Sequence, residues 1–369
     1  MTERRVGIVG YGVMGRAHAY AYRTAPLVRP SDTRFVPVVM SGRDRDRVTS
    51  VARDYGAESE GDWRALVERP DVDVVDICTP PGTHAEIAVA AAAAGKDVVC
   101  EKPFALNSRD AEAALSAVRS AEVRHAVGFN YRRLPALSLM AELVREGALG
   151  DVQLFRGTWL SDEFVDPETP FDWRFERSMG GTTIADLGSH LVDLATWFAG
   201  PVTSVAATST TFVTERATPQ GPRSVEIDDA SSALLRFASG AQGTLEMARS
   251  APRRPCDFTV EVNGSRGTAV FSYARLNELW VGLTSDDPRL YGLRRVRAEM
   301  PSHPETGGWW PLGQGVGYDA SLVNQAADLA AAWPDGDYDP DFAQGTAVVR
   351  VCEAIERAAE QGRWVSVES

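Results

Sequence analysis

Two textures of apolar and polar positions divide this chain. Up to about Gly128, short apolar runs alternate with amphipathic segments, the pattern of a parallel sheet with crossover helices. The runs predict strands at Val6–Gly10, Phe35–Met40, Val72–Cys78, Asp97–Cys100 and Arg124–Gly128. Helices are predicted to begin near Gly15, Asp44, Thr83 and Ser108, with Gly95 at a C′ position that needs the left-handed region. A linking helix, Pro135 to Glu146, ends at Gly147. From Asp151 the runs are longer, alternate strictly and are rich in Thr and Val, which predicts an antiparallel or mixed sheet. Its strands are expected at Val152–Trp159, Val202–Phe212, Ala230–Phe237, Gly243–Arg249, Phe258–Asn263, Thr268–Tyr273 and Leu279–Leu283. Ser239-Gly240 and Asn263-Gly264-Ser265 supply hairpin turns. Helices are expected from Thr183 to Phe198, from Ala320 to Ala332, and from Phe342 to Gln361. The fold class is therefore α/β plus α+β. A doubly wound parallel sheet occupies residues 1–130, and an open-faced, mainly antiparallel sheet domain occupies 131–369, with final helices free to pack back on the first domain.

Composition narrows the function classes. A chain of 369 residues with 44% apolar content suits two cores. Its net charge of -13 argues against nucleic acid and anionic membranes, both of which need a basic footprint, and leaves a small-molecule partner. Cys78, Cys100, Cys256 and Cys352 lack metal-type spacing and read as free thiols in a reducing cytoplasm. Arg4 and Arg5 precede an apolar stretch, but its glycines, Arg16 and His18 spoil a signal-peptide reading. The alanine run Ala88–Ala94 is too short to span a bilayer.

Gly10-Tyr11-Gly12-Val13-Met14-Gly15 follows the first apolar strand at once and opens a helix, the context that makes a glycine fingerprint a dinucleotide site. Gly10 permits the tight turn, Gly12 clears the pyrophosphate and Gly15 lets helix and strand approach, while the helix N-terminus faces the phosphates. The second strand should end in an acid that bonds the ribose of NAD. It ends instead Met40-Ser41-Gly42-Arg43-Asp44, with Gly42 at the acid's place. Ser41 and Arg43 suit a 2′-phosphate, whereas Asp44 and Asp46 oppose one, so NAD and NADP both remain open. Thr79 and Pro80, in the stiff loop Thr79-Pro80-Pro81-Gly82-Thr83-His84, are expected along the nicotinamide ribose. His84 reads either as a cofactor neighbour or as a helix-start residue.

Glu101-Lys102-Pro103 closes the Asp97–Cys100 strand, where ligands bind in open α/β sheets. This makes Lys102 a candidate for chemistry and Glu101 a neighbour of the cofactor; Pro103 suggests a fixed, cis-compatible peptide. Gly180-Gly181 introduces a helix on which Asp186, His190 and Asp193 form one polar stripe, beside an inward-packing stripe of Leu187, Leu191, Leu194 and Trp197. One histidine and two acids make a poor zinc set, and no metal is expected. His18, His125 and His303 stand apart from other candidate groups and are read as structural.

Together with Gly128-Phe129-Asn130-Tyr131-Arg132, these motifs closely resemble the Gfo/Idh/MocA family, the glucose-fructose oxidoreductase and inositol dehydrogenase superfamily, over nearly the whole chain. The resemblance implies a Rossmann domain, a nicotinamide cofactor, and a catalytic group of Lys102, Asp186 and His190. It also implies a C-terminal sheet used in homodimer or homotetramer assembly. The insert Ser161–Gly180 and the Trp309-Trp310-Pro311 segment resemble the levoglucosan dehydrogenase branch and its sugar- or cyclitol-oxidising relatives. The reaction implied is oxidation of a secondary hydroxyl of a sugar, anhydrosugar or cyclitol, with His190 as base and Lys102 steadying the alkoxide. Asp186 then either orients the imidazole or binds a neighbouring hydroxyl. Substrate contacts are expected from Asn130, Tyr131, Trp173 and Arg174, with Trp173 and Phe175 alternatively in a core or subunit interface. Two rivals are an NAD-dependent glycoside-cleaving enzyme and a nucleotide-sensing binding protein.

Overall fold

A computed structural model describes residues 2–334, 336 and 338–368. The chain divides into two compact units: Met1–Arg133 with Gly307–Trp309 and Val316–Ala347, and Leu134–Thr306 with Trp310–Gly315 and Val348–Ser369.

The first unit is built on a six-stranded parallel sheet. Its strands are β1 (Thr2–Val9), β2 (Thr33–Ser41), β3 (Glu58–Glu60), β4 (Val74–Ile77), β5 (Asp97–Cys100) and β6 (His125–Val127). They lie in the order β3-β2-β1-β4-β5-β6, so the winding reverses between β1 and β4. The connecting helices are α1 (Val13–Val28), α2 (Arg45–Asp54), α3 (Trp63–Val67), α4 (His84–Ala93) and α5 (Ser108–Ser120). Local signals set their ends: Asp44, Asp62 and Asn107 accept hydrogen bonds from Arg47, Arg64 and Asp110 backbone N–H groups, and Gly95 takes φ +70°. Strand β3 and helix α3 were not expected. Glu58-Ser59-Glu60 is wholly polar because it sits at the sheet edge, and a five-residue helix is too short to show periodicity. The core joins Val6, Ile8, Val74 and Val99 of the sheet to Ala19, Tyr22 and Ala25 of α1. The Asp319–Ala332 helix adds Val323, Ala326 and Leu329 to the same cluster.

The second unit begins with α6 (Pro135–Arg145), stopped by Glu146 and Gly147, the latter at φ +72°. Its strands are β7 (Val152–Leu160), β8 (Val202–Thr210), β9 (Glu215–Arg216), β10 (Arg223–Ser224), β11 (Ala230–Phe237), β12 (Gln242–Ala248), β13 (Asp257–Gly264), β14 (Gly267–Ser272), β15 (Glu278–Leu283), β16 (Arg294–Arg297) and β17 (Val365–Ser366). Nine of them form one sheet, β16-β15-β14-β13-β7-β12-β11-β8-β17, antiparallel except for the β7/β12 pair; β9 and β10 form a separate hairpin. Strands β9, β10, β16 and β17 were not expected, being two-residue pieces or, in Arg294-Arg295-Val296-Arg297, a charged edge. Burial alternates strictly along β11 and β12, so one face of the sheet is solvated. The helix that packs on the buried face is not the single α-helix expected. Ile184–Gly188 is a π turn, followed by α7 (Ser189–Ala199), which ends at Gly200. Gly188 lies so close to β12 that a Cβ would stand 2.7 Å from the Met247 sulfur. Among the described residues no helix is long and apolar enough to cross a membrane.

Candidate active site

In the first unit the glycine loop has the geometry a dinucleotide needs. Gly10 takes φ +111°, and a Cβ there would stand 2.5 Å from the Cys78 carbonyl oxygen. A Cβ on Gly15 would stand 1.9 Å from the Gly10 oxygen, whereas Gly12 has nothing within 4 Å. The first turn of α1 carries no acid and no side-chain cap, and Val13 is exposed, so its N–H groups remain open to an anion. These features fit a pyrophosphate. Met14 and Tyr11 pack on the core, and the Tyr11 ring lies against Gly42, where a Cβ would come within 2.1 Å of it. Ser41 is buried, Arg43 is exposed, and Asp44 is engaged as the α2 cap.

The loop after β4 is tied down from within. Thr83 Oγ1 donates to Thr79 Oγ1 at 2.7 Å and lies 3.0 Å from the Pro80 carbonyl oxygen. His84 is buried, with Nε2 2.8 Å from the Thr79 oxygen and Nδ1 3.0 Å from the Pro103 oxygen. Burial lowers its pKa, and the neutral ring donates to one of these carbonyls at a time. Of the two readings of His84, this environment is that of a residue that ties the Thr79 loop to the Glu101-Lys102-Pro103 turn. The Lys102–Pro103 peptide is cis. Glu101 is buried beside Lys102, and its Oε2 accepts the Lys102 backbone N–H at 3.1 Å.

His18 is not isolated, contrary to the expectation. Its Nε2 lies 2.9 Å from Glu101 Oε1 and its Nδ1 lies 2.8 Å from Asp76 Oδ2, which also accepts the Tyr22 hydroxyl at 2.9 Å. Burial opposes the charged ring, but Asp76 and Cys78, by charge and hydrogen bonding together, outweigh it and the His18 pKa is raised well above its usual value. His18, Asp76 and Cys78 are also a set of three metal-ligand types. The imidazole distances, however, are those of charge-assisted hydrogen bonds on both nitrogens, and burial pushes the Cys78 thiol up to about 12. Sequence spacing hid this cluster, because α1, β4 and β5 are brought together only by the sheet. Asn130 and Tyr131 are both buried within this unit, the Asn130 amide donating to Ser321 Oγ at 2.7 Å and the Tyr131 ring lying 5.8 Å from that of Tyr318.

In the second unit, Asp186 lies in the π turn and His190 in the first turn of α7. The polar stripe is buried at His190, 4% exposed, and Asp193, 1% exposed, while Asp186 is half-buried. His190 stacks on Trp159 of β7, which in turn stacks on Phe258 of β13, with ring centroids 5.3 and 4.8 Å apart. Asp186 faces Arg249, whose Nη1 stands 3.9 Å from Asp186 Oδ2. Arg249 is fully buried and donates to Thr183 Oγ1 at 3.1 Å and to the Gly181 oxygen at 2.7 Å. Asp228 Oδ1 accepts the Thr183 N–H at 2.9 Å, capping the turn. Neither Arg249 nor Asp228 was singled out from sequence. The signal for Arg249 was present: it continues the inward parity of Gly243, Leu245 and Met247, so its charge had to be enclosed.

The insert from Ser161 to Gly180 folds onto this turn. A Cβ on Gly181 would stand 2.3 Å from the Arg174 oxygen, which explains the paired glycine. Phe164, Phe175, Val225 and Ile227 form a small core, so Phe175 belongs to packing. Trp173 and Arg174 remain partly exposed, with the guanidinium 4.6 Å over the indole ring and its Nε 3.9 Å from Glu163 Oε1. Partial burial and the Asp186 charge raise the Glu163 pKa.

A six-stranded parallel sheet with a glycine loop at its reversal point is the frame of a dinucleotide-binding unit, and a second unit with a mixed sheet carries Asp186 and His190. A family model described as an oxidoreductase family with an NAD-binding Rossmann fold matches residues 4–129, and one described as a GFO/IDH/MocA C-terminal domain matches residues 138–270. The chain belongs to the Gfo/Idh/MocA family. It is 37% identical to the levoglucosan dehydrogenase of Pseudarthrobacter phenanthrenivorans over 100% of this chain and 99% of that protein. It is 31% identical to the inositol 2-dehydrogenase of Rhizobium meliloti over 98% and 99%. A solved levoglucosan dehydrogenase in complex with NADH and levoglucosan matches with a TM-score of 0.96, covering 100% of both chains at 37% identity.

Proposed function

We propose that this oxidoreductase oxidises a secondary hydroxyl of a sugar, anhydrosugar or cyclitol to a ketone, using NAD in preference to NADP. The observation that carries the reading is that the π turn and the first turn of α7 place Asp186 and His190 four residues apart on consecutive turns, in a chain 37% identical along its whole length to a levoglucosan dehydrogenase.

A nicotinamide dinucleotide held by its pyrophosphate at the glycine loop would supply the acceptor for a hydride from the carbinol carbon. His190 takes the hydroxyl proton as the carbonyl forms, so two electrons and one proton leave with the hydride and one proton leaves to the imidazole. The stack on Trp159 holds that ring in one plane. Lys102 places positive charge where alkoxide character grows. Asp186, beside the Arg249 guanidinium, accepts a hydrogen bond from a neighbouring substrate hydroxyl. Trp173 and Arg174 offer an aromatic face and a fork of donors to the ring. The preference for NAD rests on Ser41 being buried, on Tyr11 covering Gly42, and on Asp44 lying beside Arg43, a poor setting for a 2′-phosphate. The solvated face of the nine-stranded sheet, where Leu154 and Leu234 are about half exposed, is the surface for dimer or tetramer assembly, which sedimentation of the purified chain decides.

The test is formation of reduced nicotinamide when NAD or NADP is offered with levoglucosan, inositols, free hexoses and glycosides. Lys102→Met and His190→Ala should each lower turnover by about 10² to 10⁴, with NADH affinity kept within a few-fold. Near-normal turnover in both variants would refute the roles given to these residues. Release of an aglycone without net reduction would favour the glycoside-cleaving alternative.

A further inference from the structure

Lys96 and Lys102 are the two lysines among 38 basic residues in this chain. Lys96 is engaged structurally, donating to the Arg69 and Val72 carbonyls at 2.8 and 2.9 Å. Lys102 is preceded by an enclosed polar chain that the proposed reaction does not use directly. It runs from Tyr22 and Asp76 through His18 to Glu101, and Glu101 accepts the Lys102 backbone N–H. Asp76 is 0%, His18 2% and Glu101 4% exposed. Gly128 completes the fit, since a Cβ there would stand 2.7 Å from Glu101 Oε1. Two carboxylates and an imidazole are costly to enclose, and apolar side chains of similar shape would hold α1, β4 and β5 together at least as well. Their placement directly behind Lys102 calls for a role beyond packing.

We infer that His18 is a positioning residue, which bridges Asp76 and Glu101 and through Glu101 fixes the backbone that carries Lys102. The inference rests on the role of Lys102 in the proposed dehydrogenase. His18 touches neither substrate nor cofactor in this scheme; it removes the freedom of Glu101 to turn away from the Lys102 N–H. Its two nitrogens do separable work. Nδ1 holds Asp76, which concerns the core around Tyr22, and Nε2 holds Glu101, which concerns the lysine.

Amide substitutions separate the two. His18→Asn puts a donor where Nδ1 stands and loses the bond to Glu101. His18→Gln puts one where Nε2 stands and loses the bond to Asp76. Each variant is read in kcat and KM, in NADH affinity, and in the rate of amine acylation at Lys102 relative to Lys96 by peptide mass spectrometry, which needs no turnover. His18→Asn should lower kcat by about 10- to 100-fold at unchanged NADH affinity and alter the Lys102 acylation rate, the scale expected of a misplaced catalytic group. His18→Gln should restore both to near the wild type. The inference is overturned if Gln is impaired as much as Asn, or if both variants acylate Lys102 as the wild type does. If neither variant folds, Glu101→Gln, which keeps the side-chain shape but only one acceptor, decides. It should reproduce the altered acylation, and a wild-type rate there overturns the inference. Should no sugar be oxidised by the wild type, the dehydrogenase reading fails on that result, while the acylation pattern still reports the link between His18 and Lys102.

Discussion

Gly12 and Gly15 invite the same substitution with opposite consequences. Alanine at Gly15 places a Cβ 1.9 Å from the Gly10 carbonyl oxygen, short of van der Waals contact by about 1.5 Å. The obstacle is backbone that is itself held at φ +111°, so it cannot swing aside as a side chain would. Overpacking of this kind costs about 1–3 kcal/mol and more where backbone must move, or several degrees of melting temperature. Alanine at Gly12 meets nothing within 4 Å, and the local backbone, with φ of -67°, is extended and not left-handed. Folding should be unchanged or improved by up to about 1 kcal/mol. The added methyl, however, stands where the pyrophosphate must approach. Losing one or two charge-assisted N–H bonds to phosphate costs about 2–4 kcal/mol, which is about 30- to 1000-fold in Kd. Thermal unfolding without cofactor and fluorescence titration with NADH, run on both variants, separate the two effects. If Gly12→Ala bound NADH within about threefold of the wild type, the placement of the pyrophosphate would be wrong. Equal melting temperatures for Gly15→Ala and the wild type would sink the packing argument.

Two further outcomes are expected. Arg249→Leu removes the donors to the Gly181 oxygen and Thr183 Oγ1 inside a fully buried site, and should lower stability by about 3–5 kcal/mol in chemical denaturation; an unchanged midpoint would show that the guanidinium is not structural. His18 has a folded-state pKa raised above its unfolded value, so its contribution to stability is complete below about pH 6.5 and fades as pH rises through the folded value. Melting temperatures of wild type and His18→Asn should therefore converge between pH 6.5 and alkaline pH, and a gap that widens with pH would contradict the charged bridge.

Much of the architecture was legible because it rests on local signals. Strand β5, α5, β11 and the last helix appear with the ends or starts read from the pattern, each bounded by a cap, a turn or a change of period. The pieces that escaped were those whose own sequence carries no apolar period. Glu58–Glu60 and Arg294–Arg297 are strands only because a neighbouring strand offers them hydrogen bonds. The π turn at Ile184–Gly188 escaped for a related reason, since helix width there depends on how Gly188 seats on Met247 and how Asp228 caps Thr183.

The division is sharpest at the candidate site. The glycine loop, Glu101-Lys102-Pro103 and the Asp186–His190 pair are short-range patterns, and spacing within one strand end or one helix suffices to announce them. His18 beside Glu101, 83 residues apart, and Arg249 beside Asp186 are contacts of a different order. No local rule links their positions; the parallel sheet and the seating of the π turn on β12 bring them within a few ångströms. Enclosure there then gives the charges their meaning, because a histidine or arginine removed from water must find partners, and only the packed chain supplies them.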